Sequence, residues 1–158
     1  MQSSDSMHQK AWELPERTHR FAAAGARLSG EVTDGVRVHK VMRTLIAAST
    51  AMEAGYRDTC ASSSPEKFIA GISIVARHAK RAKAALVLLV QLNLISIEVV
   101  RDLILEARGL EAIFLASRNT AKKRARGRMV SRRNPSERAA HASDGKTPRK
   151  RQNPPGVT

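Results

Sequence analysis

Arg77, Lys80, Arg81 and Lys83 follow one another closely, with His78 among them. Guanidinium and ammonium groups set at such intervals along a helix bind phosphate, because each can replace a counterion of a nucleic-acid backbone. A second and denser series lies further on, at Lys122, Lys123, Arg124, Arg126, Arg128, Arg132 and Arg133. From Arg118 to the end there are thirteen Lys/Arg against Glu137 and Asp144, so this segment holds +11 of the formal +14. The residues before it are left with +3. Charge concentrated in this way marks a polyanion-binding arm, with a solvated solubility tail as the alternative. Phosphate contacts give affinity and salt dependence but little reading of sequence. The arm has no Phe, Tyr or Trp on which bases might stack.

Catalytic chemistry finds little to work with. The histidines stand scattered at positions 8, 19, 39, 78 and 141, and no two are spaced i, i+4 with a carboxylate as a metal-dependent hydrolase motif requires. Phosphate-cradling and nucleophile motifs of the forms GxGxxG, GxxxxGK[ST] and GxSxG are absent from the sequence. Arg77 beside His78 invites comparison with small helical ribonucleases, but in those the Arg and His are separated by several residues. His78 therefore reads as a satisfied or surface histidine. Neither enzymatic activity nor a cofactor nor a metal is expected. Cys60, the single cysteine, excludes an intramolecular disulfide and reads as a small buried apolar residue.

The elements that position these residues read as helices. Ala, Leu, Ile and Val are plentiful, aromatics make up only 3% of the chain, and no interior run alternates with a period of two. Residues 1–11 are polar and are expected to be flexible. A first helix is expected from Trp12-Glu13-Leu14-Pro15 to Gly30, with a thin apolar face of Phe21, Ala24 or Gly25, and Leu28. A second, capped by Thr33 or Asp34, carries Val38, Met42, Leu45, Ser49, Met52 and Tyr56 at alternating spacings of four and three. The third runs from Pro65 to about Asn93 and repeats Phe68, Ile72, Val75, Ala79, Ala82, Leu86, Leu89 and Asn93 in the same rhythm. Ala79 and Ala82 admit close helix approach, and the apolar ALVLLVQL segment predicts burial on more than one side, by other helices or by another subunit. After the short turn QLNLIS, with Ser96 as cap, a fourth helix carries Val100, Leu103, Ala107, Leu110 and Phe114.

A turn this short makes helices three and four an antiparallel hairpin. The line Glu98, Asp102, Glu106, with Glu111 close by, then comes near the helix-three cations, Lys83 level with Glu106 and Lys80 with 109–111. Two readings stand side by side: the lines pair across the hairpin, or the cations face a nucleic acid. The fold expected is all-α, an up-and-down four-helix bundle over 12–120 with a disordered basic tail over 121–158, of which Ala121 to Arg128 can extend helix four when neutralised. No apolar run is long enough to span a bilayer and MQSSDSMHQK lacks the apolar core of a secretory signal, so no membrane partner and a cytoplasmic location are expected.

Residues 64–120 resemble a known family. SPEKFIAGISIVARHAKRAKAALVLLVQLNLIS followed by IEVVRDLILEARGLEAIFLAS is similar to the third and fourth helices of the four-helix bundles that include the 23S rRNA intervening-sequence proteins and Avd, the accessory variability determinant of diversity-generating retroelements. The features that carry the resemblance are the Ser/Glu-Phe start of helix three, its long small-residue stretch, the turn Leu92-Asn93-Leu94-Ile95-Ser96, and Gly109 within the last helix. The match spans about a third of the chain. It implies an up-and-down bundle assembled as a homopentamer with a basic surface. In Avd it further implies binding to a reverse transcriptase and to template-derived RNA or an RNA–DNA hybrid, supporting mutagenic cDNA synthesis without catalysing it. Where many relatives carry acids in the middle of helix three, this chain has Arg77, Lys80, Arg81 and Lys83, which favours nucleic acid as partner. The alternative is a ribosome- or rRNA-associated structural bundle with no enzyme partner.

Overall fold

In the computed structural model the backbone is described for residues 3–31 and 35–133 and the side chains for 13–30 and 35–130. Four helices follow in order: α1 Ser3–Glu31, α2 Val36–Cys60, α3 Pro65–Gln91 and α4 Ile97–Arg133. No strand occurs among the described residues. The chain divides into two compact units, Met1–Lys123 and Arg124–Thr158. The first is a four-helix bundle whose short connections make successive helices antiparallel. Of the second, residues 124–133 are described, and they are helical.

The apolar seams meet in one core. Val38, Met42, Leu45, Ser49, Met52 and Tyr56 of α2 are all buried, as are Ile72, Val75, Ala79, Ala82, Leu86 and Leu89 of α3. From α4, Val100, Ala107, Leu110 and Phe114 are fully enclosed, while Leu103 is half-buried against them. Tyr56 and Phe114 pack at a tilt, with ring centroids 5.5 Å apart, within the range over which aromatic pairs attract. Burial of the Tyr56 ring, helped by a hydrogen bond with Cys60, pushes its hydroxyl pKa well above the usual value.

Three expectations change at the ends of the helices. α1 begins at Ser3 rather than near Trp12, and Pro15 lies inside it. Its buried seam is longer than the expected face: Gly25 rather than Ala24 is buried between Phe21 and Leu28, and Leu14 and Thr18 extend the four-three rhythm toward the N-terminus. Thr18 is buried at no polar cost because its hydroxyl donates to the Pro15 carbonyl at 2.8 Å. The N-cap of α2 is Gly35, without a side-chain cap bond; Thr33 and Asp34 lie outside the described residues. α4 continues to Arg133, so 121–133 is helical, and 134–158 lies outside the described residues.

The other boundaries follow their sequence signals. Ser64 caps α3 by accepting from the Lys67 amide at 3.1 Å, with Pro65 at the first position. α3 ends at Gln91, and Asn93 takes φ 54° in the turn, a left-handed conformation that Asn tolerates better than most residues. Ser96 accepts from the Glu98 amide at 3.3 Å and also bonds the Glu98 carboxylate, which is thereby held below the usual carboxylate range. Cys60 is exposed rather than buried: Tyr56 and Thr59 fill the inward face of the last turn of α2, and the next residue along turns outward.

Small residues set how closely the helices approach. A Cβ on Gly71 of α3 would lie 2.4 Å from the Thr59 hydroxyl of α2, so the two helices touch backbone to side chain there. Gly109 of α4 lets the Arg17 guanidinium of α1 lie against the helix, where a Cβ would stand 3.4 Å from it. The second half of α3, apolar almost all round, is buried at Ala82 and Ala85 and half-buried at Val87 and Val90, but its cover is not complete. Leu86 and Leu89 are enclosed, whereas Leu88 and Leu92 remain exposed.

Candidate nucleic-acid interface

The cations of α3 do not act as one patch. Lys83 turns toward α4 and pairs with Glu111 at 2.5 Å, both side chains being largely shielded from solvent. Arg77, Lys80 and Arg81 are exposed and make no ion pair among the described residues. The pairing reading thus holds for Lys83, while Arg77, Lys80 and Arg81 are exposed on another side of the helix.

The register of the pairing differs from the level-by-level expectation. Glu106, expected opposite Lys83, instead receives a two-pronged bond from Arg17 of α1, at 2.8 and 2.9 Å. Side chains lean toward the N-terminus of their own helix. In an antiparallel pair the Lys83 side chain therefore meets a carboxylate further along α4 than the one level with its own Cα. The hydrogen bond from Arg17 to Glu106 raises the pKa of the guanidinium, the strong charge-assisted fork outweighing the desolvation of this half-buried group.

A second row of cations lies on α2. Arg37, Lys40 and Arg43 are all exposed. A groove of about 590 Å³ between α2 and α3 is lined by His39, Lys40, Arg43, Thr44 and Ala47 of α2 and by Arg81 of α3. An adjoining hollow of about 320 Å³ shares Lys40, Thr44 and Arg81 with it and is floored by Val41, Ala84, Ala85 and Leu88. Sequence reading missed Lys40 and Arg43 because each helix was read alone. The signal was present: α2 has no Asp or Glu from 36 to 52, and α3 has none from 67 to 91. Nothing on these stretches neutralises their cations from within the same helix.

The basic end of α4 is likewise open. Lys122, Lys123, Arg124, Arg126 and Arg128 are exposed, without an ion pair among the described residues. Lys122 and Lys123 belong to the first unit, and Arg124, Arg126 and Arg128 to the second. Arg132 and Arg133 continue the helix, and their side chains lie outside the described residues.

The described aromatics serve the core. Phe21, Tyr56 and Phe114 are buried, and Phe68 is half-buried against the same cluster. His78 is half-buried without a carboxylate partner, while His19 bonds Glu53 through Nδ1 at 2.9 Å, a carboxylate that Arg57 also holds at 2.7 Å. Among the described residues no group of three or more His, Cys, Asp or Glu is placed to hold a metal ion. No helix among them is long and apolar enough to cross a membrane. Compared with known proteins, the chain matches no family model, no curated protein and no solved structure.

Proposed function

We propose that the protein is a non-catalytic, oligomeric helical bundle that binds RNA or an RNA–DNA hybrid through phosphate contacts and serves as accessory to a reverse transcriptase. The observation that carries the nucleic-acid part is the pair of acid-free stretches on α2 and α3, whose exposed Lys40, Arg43, Arg77 and Arg81 have no ion-pair partner among the described residues. Cations left uncompensated on a folded surface attract polyanions and release their counterions on contact. The basic end of α4, from Lys122 onward, adds to the same attraction. Lys83 contributes least, since Glu111 already neutralises it.

The reverse-transcriptase part rests on the resemblance of residues 64–120 to the Avd family, as does assembly into a pentamer. Several copies joined in one particle would multiply weak phosphate contacts by raising their effective concentration. Exposed Leu88, Leu92, Val99 and Leu105 are apolar surface available for contact between subunits.

Affinity purification of the tagged chain, co-expressed with a reverse transcriptase encoded beside its own gene, tests the accessory role. The enzyme and its template RNA should co-purify with the chain after nuclease-free washing. Recovery of ribosomal RNA alone, with the enzyme in the flow-through, would instead support an rRNA-associated structural bundle.

A further inference from the structure

The nucleic-acid reading leaves open which form of nucleic acid the α2/α3 face accepts. Resting on that reading, we infer that this face takes an A-form duplex, an RNA duplex or an RNA–DNA hybrid, and not an unpaired strand. Three features of the surface support this.

The first is the arrangement of charge. Lys40 and Arg43 stand three residues apart on α2, and Arg77 and Arg81 four apart on α3, which sets each pair about 4.5–6 Å apart along its helix. The two helices are held against each other by Gly71 and by the buried Ala76, Ala79 and Ala82. The result is two short rows of cations on a rigid pair of helices. A duplex presents its phosphates as a fixed array on two strands, so it meets such rows without first having to be ordered.

The second is the fate of the aromatic rings. A protein that holds single strands stacks bases on exposed Phe, Tyr or Trp. Here Phe21, Tyr56 and Phe114 are committed to the core, at 2%, 8% and 0% exposure. The groove itself is lined by cations, His39, Thr44 and aliphatic side chains. It offers bases no Phe, Tyr or Trp on which to stack.

The third is Thr44. It lines both hollows together with Lys40 and Arg81. Its hydroxyl donates to the Lys40 carbonyl at 3.2 Å, so its oxygen lone pairs remain to accept a hydrogen bond. A ribose 2′-hydroxyl is the donor that separates RNA from DNA in a shallow minor groove. Thr44 is thus placed to favour an RNA strand among phosphates that Lys40 and Arg81 bind without distinction.

The test measures binding of the full chain to four probes of one length, about 20 residues per strand, at one ionic strength: RNA duplex, RNA–DNA hybrid, DNA duplex and unstructured single-stranded RNA. The RNA duplex and the hybrid should bind at least about tenfold more tightly than the single strand, and Lys40→Glu/Arg43→Glu should remove most of that advantage. Both positions are exposed, so circular dichroism should report an unchanged fold. Thr44→Val should lower the preference for RNA duplex over DNA duplex about threefold while leaving DNA-duplex binding intact. Single-stranded RNA binding as tightly as duplex, or full duplex affinity in the double variant, overturns the inference while leaving the nucleic-acid reading in place. Failure to bind any of the four probes overturns both.

Discussion

At Gly71 the closest pair of helices has no space for even a methyl group. The Thr59 hydroxyl that a Cβ would strike is itself fixed, donating to the Gly55 carbonyl at 2.6 Å, and a β-branched side chain in a helix has few other rotamers. Gly71→Ala should therefore destabilise the bundle by about 1–2 kcal/mol, because overpacking exceeds the gain in helix propensity. Urea denaturation would show it as a lower midpoint, and Thr59→Ala in the same chain should restore part of the loss. Tyr56 gives a pH signature. Its folded pKa is raised by burial, so above about pH 10 the unfolded chain loses this proton while the native one keeps it. Stability contributed by Tyr56 is thus fully present below that pH and falls as pH rises through the folded value, by at most about 1.4 kcal/mol per pH unit. Denaturation of wild type and Tyr56→Phe between neutral and alkaline pH should show a steeper decline in wild type; equal slopes would remove Tyr56 as the cause.

Helix by helix, legibility followed the strength of the repeat. The seams of α2, α3 and α4 could be read almost residue for residue, because buried apolar side chains recur every three and four positions. α1 packs better than its pattern suggests, since Thr18 does not look like a core residue until its hydroxyl is seen to be satisfied by its own helix. The candidate interface was legible on α3 and at the end of α4, but not on α2. The pairing of Lys40 and Arg43 with Arg81 across one groove depends on which helix lies beside which, and a linear pattern does not carry that. Nor does it reveal that Lys83 is taken by Glu111, because side-chain lean moves the contact along the helix. Two predictions belong here. Ser64→Ala should cost about 1 kcal/mol by removing the cap of α3, read from thermal or urea unfolding. Lys83→Ala should weaken RNA binding less than Arg81→Ala, measured by titration at one salt concentration, since only Arg81 offers an uncompensated charge.

Taken whole, the molecule carries exposed cations without an ion pair among the described residues on each of its two units. Four of the nine acids whose side chains are described pair with cations of the same chain: Glu106 with Arg17, Glu111 with Lys83, Glu53 with His19 and Arg57, and Glu16 with Arg20. Arg37, Lys40, Arg43, Arg77, Lys80 and Arg81, together with the cations from Lys122 to Arg128, have no ion pair among the described residues and are proposed to meet a partner. The central claim is that this partner is held by its phosphates. The most direct measurement is the affinity of the full chain for RNA as a function of salt, compared with a chain ending at Thr120 and with Lys40→Glu/Arg43→Glu. Log K should fall linearly with log salt, with a slope that shrinks by about 1 for each phosphate contact removed, in both altered chains. A slope near zero, or undiminished affinity in both, would contradict it.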